Sequence, residues 1–168
     1  MKDTDNWWSN KRVLITGGLG FLGHWILEGL ASCGCREVTI GDISLRETEW
    51  YLKRQESPLR VKEYVADVRD DSIVDLIRAT KPHIILHLAG VSHINQSQSI
   101  PLAAFHTNTI GTLKVMEGAY LLKQDALYPP HVVVASSNHV YGSHPGMSPR
   151  TEEASLNQLD IYGASKHC

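Results

Sequence analysis

Short apolar runs alternate with stretches of helical period along almost the whole chain. Val13-Leu14-Ile15 reads as a buried strand. From Gly20 to Cys33, Phe21, Leu22, Trp25, Ile26, Leu27 and Leu30 recur at helical spacing while His24 and Glu28 take the other face, which predicts an amphipathic helix. Glu37 to Ile40 predicts a second strand ending at Gly41-Asp42, and Ser44 to Arg54 a polar helix. Arg60 to Val65 alternates as a third strand, and Asp70 to Ala79 carries Ile73, Val74, Leu76 and Ile77 as a helix. A fourth strand covers His83 to Leu88, a long helix Pro101 to Leu122, and a fifth strand His131 to Ala135. Strands apolar on both faces and separated by helices call for a parallel sheet covered on both sides. The pattern therefore predicts an α/β, doubly wound parallel sheet of Rossmann type, whose ligands bind at the carboxyl ends of the strands.

Composition narrows the partners more than the fold. A chain of 168 residues is long enough for one domain with a substantial core. Its 42% apolar and 20% charged residues are ordinary for a globular protein, and a net charge of −2 with no like-charge block points away from nucleic acid and acidic membrane surfaces. The apolar runs Ile84-Ile85-Leu86 and Val132-Val133-Val134 are far too short to span a bilayer, and Met1 to Asn10 lacks the apolar core of a signal peptide, so a cytoplasmic protein is expected. Trp7-Trp8 reads as a hydrophobic anchor for the N-terminal arm. Three cysteines, Cys33, Cys35 and Cys168, form no disulfide framework, and Cys33-Gly34-Cys35 lacks a second ligand pair, so no metal is expected.

Two motifs carry chemistry. Thr16-Gly17-Gly18-Leu19-Gly20-Phe21-Leu22-Gly23 satisfies the dinucleotide spacing G-x-G-x-x-G, with a strand before it and an amphipathic helix after it. Such a turn needs glycine where the chain bends sharply, where backbone meets pyrophosphate and where the helix packs on the sheet. Asp42, 19 residues after Gly23 at the end of the second strand, can accept both ribose hydroxyls and would repel a 2′-phosphate, which favours NAD over NADP. Tyr162 and Lys166 are four apart and share a helix face. An ammonium beside a phenol favours the phenolate, which can take a proton from an alcohol while a nicotinamide takes the hydride. Ala135-Ser136-Ser137-Asn138-His139-Val140-Tyr141-Gly142, after the fifth strand, can bring a serine hydroxyl to the same oxygen. His139 reads either as an auxiliary acid or base or as a packing or surface residue. His93, after the fourth strand, reads either as a substrate or loop-ordering contact or, more in keeping with polar loops, as a plain loop residue.

These residues resemble the extended short-chain dehydrogenase/reductase superfamily, in particular its NAD-dependent nucleotide-sugar epimerases and dehydratases. The resemblance covers nearly the whole chain. Thr16 to Gly23 is similar to the family's TGxxGxxG, Asp67-Val68 to its adenine-contacting pair, and His87-Leu88-Ala89-Gly90 to the segment lining the cofactor. Asn108 with Gly111-Thr112 resembles its N-x-x-G-T, and Ser136-Ser137-x-x-Val140-Tyr141-Gly142 its SSxxVYG. The resemblance implies Ser137, Tyr162 and Lys166 as catalytic residues. It implies Gly17, Gly20, Phe21, Leu22, Gly23, Asp42, Asp67, Val68, Leu88, Ala89, Gly90, Asn108, Tyr162 and Lys166 around NAD. It further implies oxidation of a sugar hydroxyl on a nucleotide-sugar to a keto intermediate, and a homodimer of the full-length protein. The 4,6-dehydratases often carry an Asp-Glu pair after the catalytic residue; here Asn138 and His139 stand there, which shifts the expectation towards epimerisation or simple oxidation. Trp8, Lys11-Arg12 and the segment from Tyr141 to Lys166 resemble a CDP-glucose-4,6-dehydratase-like branch, an alternative that stays open. Family members continue past the Tyr-x-x-x-Lys helix into a smaller substrate domain. On that resemblance residues 1–168 are expected to be a C-terminally truncated NAD-binding domain, either part of an enzyme or a non-catalytic NAD-binding module. The presence of Ser137, Tyr162 and Lys166 together favours the enzyme.

Overall fold

The computed structural model describes residues 7–45, 58–126, 128–142, 149–158 and 160–168. Five strands form one parallel sheet: β1 (Arg12–Thr16), β2 (Glu37–Asp42), β3 (Arg60–Val65), β4 (Ile84–His87) and β5 (His131–Val134), in the order β3-β2-β1-β4-β5. The chain runs outward from β1 to β3, then returns to β4 on the other side of β1. That reversal opens a crevice at the carboxyl ends of β1 and β4, the place where such sheets take their ligands. The register sets the floor of the crevice: Thr16 pairs with Gly41 on one side and with His87 on the other.

Each face of the sheet has its own core. Val13 and Ile15 of β1 point to one side with Val38, Ile40 and Ile84, and meet Leu27 and Leu30 of helix α1 (Phe21–Ser32). Leu14 and Ile85 point to the other side, against Ile73 and Ile77 of α2 (Ser72–Thr80) and Val115 and Leu122 of α5 (Gly111–Ala126). Burial of each such side chain contributes about 1.5–3 kcal/mol, so the two faces together fix β1 in the middle of the sheet. Trp8 packs on the first core, as an anchor should.

The structure corrects several expectations. Phe21, Leu22 and Trp25 are exposed, Phe21 by 80%. The buried stripe of α1 is Gly23, Leu27 and Leu30, at spacings of four and three, and Phe21 and Trp25 lie opposite it. The long helix expected over Pro101 to Leu122 is present, but a π turn (His106–Ile110) that the spacing does not show stands between α4 (Pro101–Phe105) and α5, with helical backbone at both joints. The preceding stretch, read as loop, contains a short helix α3 (Ile94–Ser99). The sheet is not covered throughout: β3 and β5 are edge strands with one neighbour each, and Val133 and Val134 of β5 are exposed. The polar helix expected over Ser44 to Arg54 falls mostly on residues 46–57, outside the described residues. Among the described residues, no helix is long and apolar enough to cross a membrane.

Candidate active site at the carboxyl edge of the sheet

The glycine-rich turn closes directly over the end of β1. Gly17 stands at φ +66° and donates to the carbonyl of Gly41 at 2.8 Å, and Gly20 donates back to Gly17 at 3.1 Å. A side chain on Gly17 would be both strained and 2.7 Å from the Ala89 backbone, because the loop after β4 presses on the turn. Gly20 then begins α1 in extended conformation, with no side chain capping it. The first N–H groups of α1 therefore have no capping side chain, the condition under which a helix terminus can take an anion. Phe21 and Leu22 stand in this first turn with their side chains exposed.

Asp42 ends β2 facing the turn. Its Oδ2 accepts from the Leu19 N–H at 3.1 Å and its Oδ1 from the Ile43 N–H at 2.8 Å. Two backbone donors fix the carboxylate beside the cradle, and each oxygen keeps a lone pair for a ribose hydroxyl. Asp67, after β3, is held by Arg69: the guanidinium and the carboxylate meet at 2.6–3.0 Å, and the Arg69 hydrogen bond holds the Asp67 carboxyl below its usual range. Val68 is buried in the second core, so its side chain is not in the crevice. Leu88 and Ala89 follow β4; Leu88 donates to the Thr16 carbonyl at 3.0 Å, and Gly90 sits against Asn108 and the Lys166 ammonium.

Asn108 is a staple. It is buried in the π turn; its Oδ1 accepts from Val91 N–H at 2.8 Å, and its Nδ2 donates to the Val91 carbonyl at 3.0 Å and to Ser165 Oγ at 2.8 Å. Thr109 Oγ1 donates to the Ser165 carbonyl at 3.0 Å. The π turn lets two successive side chains reach α6 (Ile161–His167), the helix that bears Tyr162 and Lys166. Asn108 thus ties the loop after β4 to that helix rather than presenting a free amide to a cofactor.

Ser137 starts a single 3-10 turn (Asn138–Tyr141), and its Oγ accepts the His139 N–H at 3.2 Å. Lys166 reaches back over this edge and donates to the Ala135 carbonyl at 3.0 Å; burial pushes its pKa down. The His139 ring meets the Tyr162 ring edge-on, centroids 5.6 Å apart. Lys166 thus lies at the ends of β4 and β5, and His139 links the turn that starts at Ser137 to the Tyr162 ring. Cys33 and Cys35 are free, and the described residues contain no group of three or more side chains able to hold a metal ion. His93 is exposed and precedes α3, with its carbonyl accepting the Ser97 N–H.

Two residues take parts that the sequence reading did not assign to them. Asp160 caps α6 and pairs with His139 at 3.0 Å; an Asp directly before an apolar helix is a capping signal that the sequence does carry. His87 is 1% exposed beneath the crevice, between Thr16 Oγ1 at 2.6 Å and Thr112 Oγ1 at 3.0 Å. Thr112 gives its own proton to the Asn108 carbonyl at 2.6 Å, so His87 must donate from Nε2, and Thr16 donates to Nδ1. Neutral His87 is thereby fully satisfied, and burial followed by the Lys166 charge lowers its pKa to about 4. The unfolded chain binds this proton near pH 6.5. Stability is therefore complete above that pH and is lost as pH falls towards 4, by up to about 3 kcal/mol. Urea unfolding at pH 7 and pH 4.5 should show this loss, and His87→Gln should shrink it; an equal loss in the variant would assign the pH dependence elsewhere.

A Rossmann-type sheet with a glycine cradle at its switch point, and a serine and a Tyr-x-x-x-Lys helix at its edge, defines an extended short-chain dehydrogenase/reductase. The chain belongs to the NAD-dependent epimerase/dehydratase family of that class: the family model described as GDP-mannose 4,6 dehydratase matches residues 14–168. Among curated relatives, UDP-glucose 4-epimerase of Azospirillum brasilense is 30% identical over 164 residues, covering 97% of this chain and 44% of that protein. UDP-glucose 4-epimerase of Bacillus subtilis is 30% identical over 158 residues, covering 92% and 44%. The solved Thermus thermophilus UDP-glucose 4-epimerase, in complex with NAD, superposes with a TM-score of 0.78 at 27% identity over 92% of this chain and 47% of its own. The Stenotrophomonas maltophila enzyme, with NAD and formylated UDP-arabinopyranose, gives 0.76 at 29% over 94% and 46%. The chain thus spans less than half the length of the curated relatives it matches.

Proposed function

We propose that this chain is the cofactor-binding and catalytic part of an NAD-dependent nucleotide-sugar 4-epimerase acting on a substrate of the UDP-glucose class. The observation that carries this reading is the seat of Lys166, bonded to the end of β5 and lying against Gly90 at the end of β4. On this reading Tyr162, four residues before Lys166 on α6, faces the crevice beside Ser137. The cradle suits a dinucleotide, since no side chain caps the first N–H groups of α1 and Gly17 makes the positive-φ turn that brings the loop after β4 against it. Bound NAD supplies the hydride acceptor. Ser137 orients the sugar hydroxyl, Tyr162 takes its proton, and Lys166 holds positive charge beside the phenol and the nicotinamide ribose. Return of the hydride to the other face of the keto sugar inverts the carbon.

Interconversion of UDP-glucose and its C4 epimer, followed by anomeric NMR signals, tests this; binding of NADH without any conversion would favour a cofactor-binding module. Asp42 sets the cofactor preference. Asp42→Ala should lower the ratio of NADH to NADPH affinity about tenfold in a fluorescence titration, as expected for hydrogen bonds to a charged group. An unchanged ratio would remove Asp42 from that role. The homodimer is supported by Leu113, Met116 and Tyr120, which form an exposed apolar stripe on α5.

A further inference from the structure

Between Ser137 and Tyr162 stands a built His–Asp pair that the epimerase reaction does not use. Asp160 Oδ1 accepts the Gly163 N–H at 2.6 Å, and Oδ2 meets His139 Nδ1 at 3.0 Å. The Gly163 bond first, and His139 with it, hold the Asp160 carboxyl below the usual range, so it is an ionised acceptor. His139 must therefore donate from Nδ1, which leaves Nε2 as its basic nitrogen. The residue is held at three points: its backbone N–H donates to Ser137 Oγ, its Nδ1 meets Asp160, and its ring packs edge-on with the Tyr162 ring. Its side chain is 35% exposed against 19% for Asp160, so the imidazole remains reachable while the carboxylate behind it is covered. A base oriented by a largely covered carboxylate, on the turn that starts at Ser137 and against the Tyr162 ring, is the arrangement of a proton-transfer site.

We propose that His139, oriented by Asp160, is a second acid/base residue of this site, which removes the proton from the carbon next to the keto carbon of a nucleotide-linked keto sugar. The proposal rests on the preceding reading for the keto sugar alone. In the step the C–H bond breaks and its proton passes to His139 Nε2. The electron pair moves into a C=C bond as the carbonyl becomes an enolate oxygen, which the Ser137 and Tyr162 hydroxyls stabilise. Asp160 stabilises the imidazolium. Return of the proton regenerates the ketone, with solvent hydrogen in place of the original. The site would thereby open 4-keto intermediates to exchange, to inversion at the neighbouring carbon or to loss of a β-hydroxyl.

The test supplies the ketone directly. The chain with NAD is incubated in D2O with UDP-4-keto-6-deoxyglucose, and deuterium at the carbons flanking the ketone is read by NMR and mass. Enzyme-dependent exchange is expected, slowed at least ~100-fold by His139→Gln. Asp160→Asn keeps a capping side chain and should slow exchange about tenfold; it decides the matter should His139→Gln fail to fold. No exchange above the enzyme-free rate, or a wild-type rate in a folded variant, would overturn the proposal. NADH absorbance with UDP-glucose is followed in parallel. Exchange without NADH would sink hydride transfer but leave His139 standing, whereas NADH formation with exchange unaltered in His139→Gln would do the reverse.

Discussion

Gly23→Ala is expected to abolish NADH binding by this chain and to cost at least ~3 kcal/mol of stability. A Cβ at this position would overlap the carbonyl group and Cα of Gly18, which are backbone atoms and cannot swing aside. Gly18 cannot retreat, because Ile15 and Ile40 lie directly behind it and both are fully buried. Relief must come from lifting the first turn of α1, and that moves the N–H groups that form the cradle. Gly29 supplies the control. It lies in the same helix, with open space where its side chain would be, so Gly29→Ala should raise stability by up to ~1 kcal/mol. Urea unfolding and an NADH fluorescence titration on both variants give the comparison. Wild-type NADH affinity in Gly23→Ala would show that the close packing of α1 on the turn does not shape the site.

The contrast between these glycines shows what the sequence could carry. Spacing identifies Gly17, Gly20 and Gly23 because the strand before them and the helix after them fix the backbone path through the turn. The central strands were legible for a similar reason: a continuous run such as Val13-Leu14-Ile15 has only one stable place, between two covered faces. Edge exposure was not legible, since Val132-Val133-Val134 has the same composition whether or not a neighbour lies beside it. The outward side of α1 was misread because six apolar residues within ten positions satisfy more than one helical stripe; packing alone selects Leu27 and Leu30.

The polar network was hidden for a different reason. Asn108 and Ser165 are 57 residues apart and meet through a π turn, a departure from helical period that no apolar spacing reports. His87 was visible only as the start of a familiar segment. Its tautomer follows from Thr112, whose proton is already committed to Asn108. The His139–Asp160 pair joins residues 21 apart across residues that pattern assigns to no element. In each case the partners are set by tertiary contact, and the sequence shows only a polar residue near an apolar helix.

Tyr162→Phe is expected to lower hydride transfer from UDP-glucose to NAD by ~10²- to 10⁴-fold, the range for loss of a general acid/base group, with NADH affinity changed less than about threefold. The substitution removes one oxygen. The edge-on contact with His139 survives, the Asp160 cap on α6 is untouched, and Ser165 and Asn108 still tie that helix to the loop after β4. Among the described residues no hydrogen bond that holds the fold together passes through the phenol oxygen, so the loss should appear in turnover and not in melting temperature. Lys166→Met should behave differently. Its ammonium is the donor to the Ala135 carbonyl, and its loss leaves that acceptor without its bond in a half-buried position, at about 1–3 kcal/mol. Stability, cofactor affinity and turnover should therefore fall together. Single-turnover NADH absorbance, NADH fluorescence and thermal melts on the two variants separate a residue that only moves a proton from one that also builds the site. Undiminished hydride transfer in Tyr162→Phe would mean that the proton leaves through another group, and would remove Tyr162 from that role.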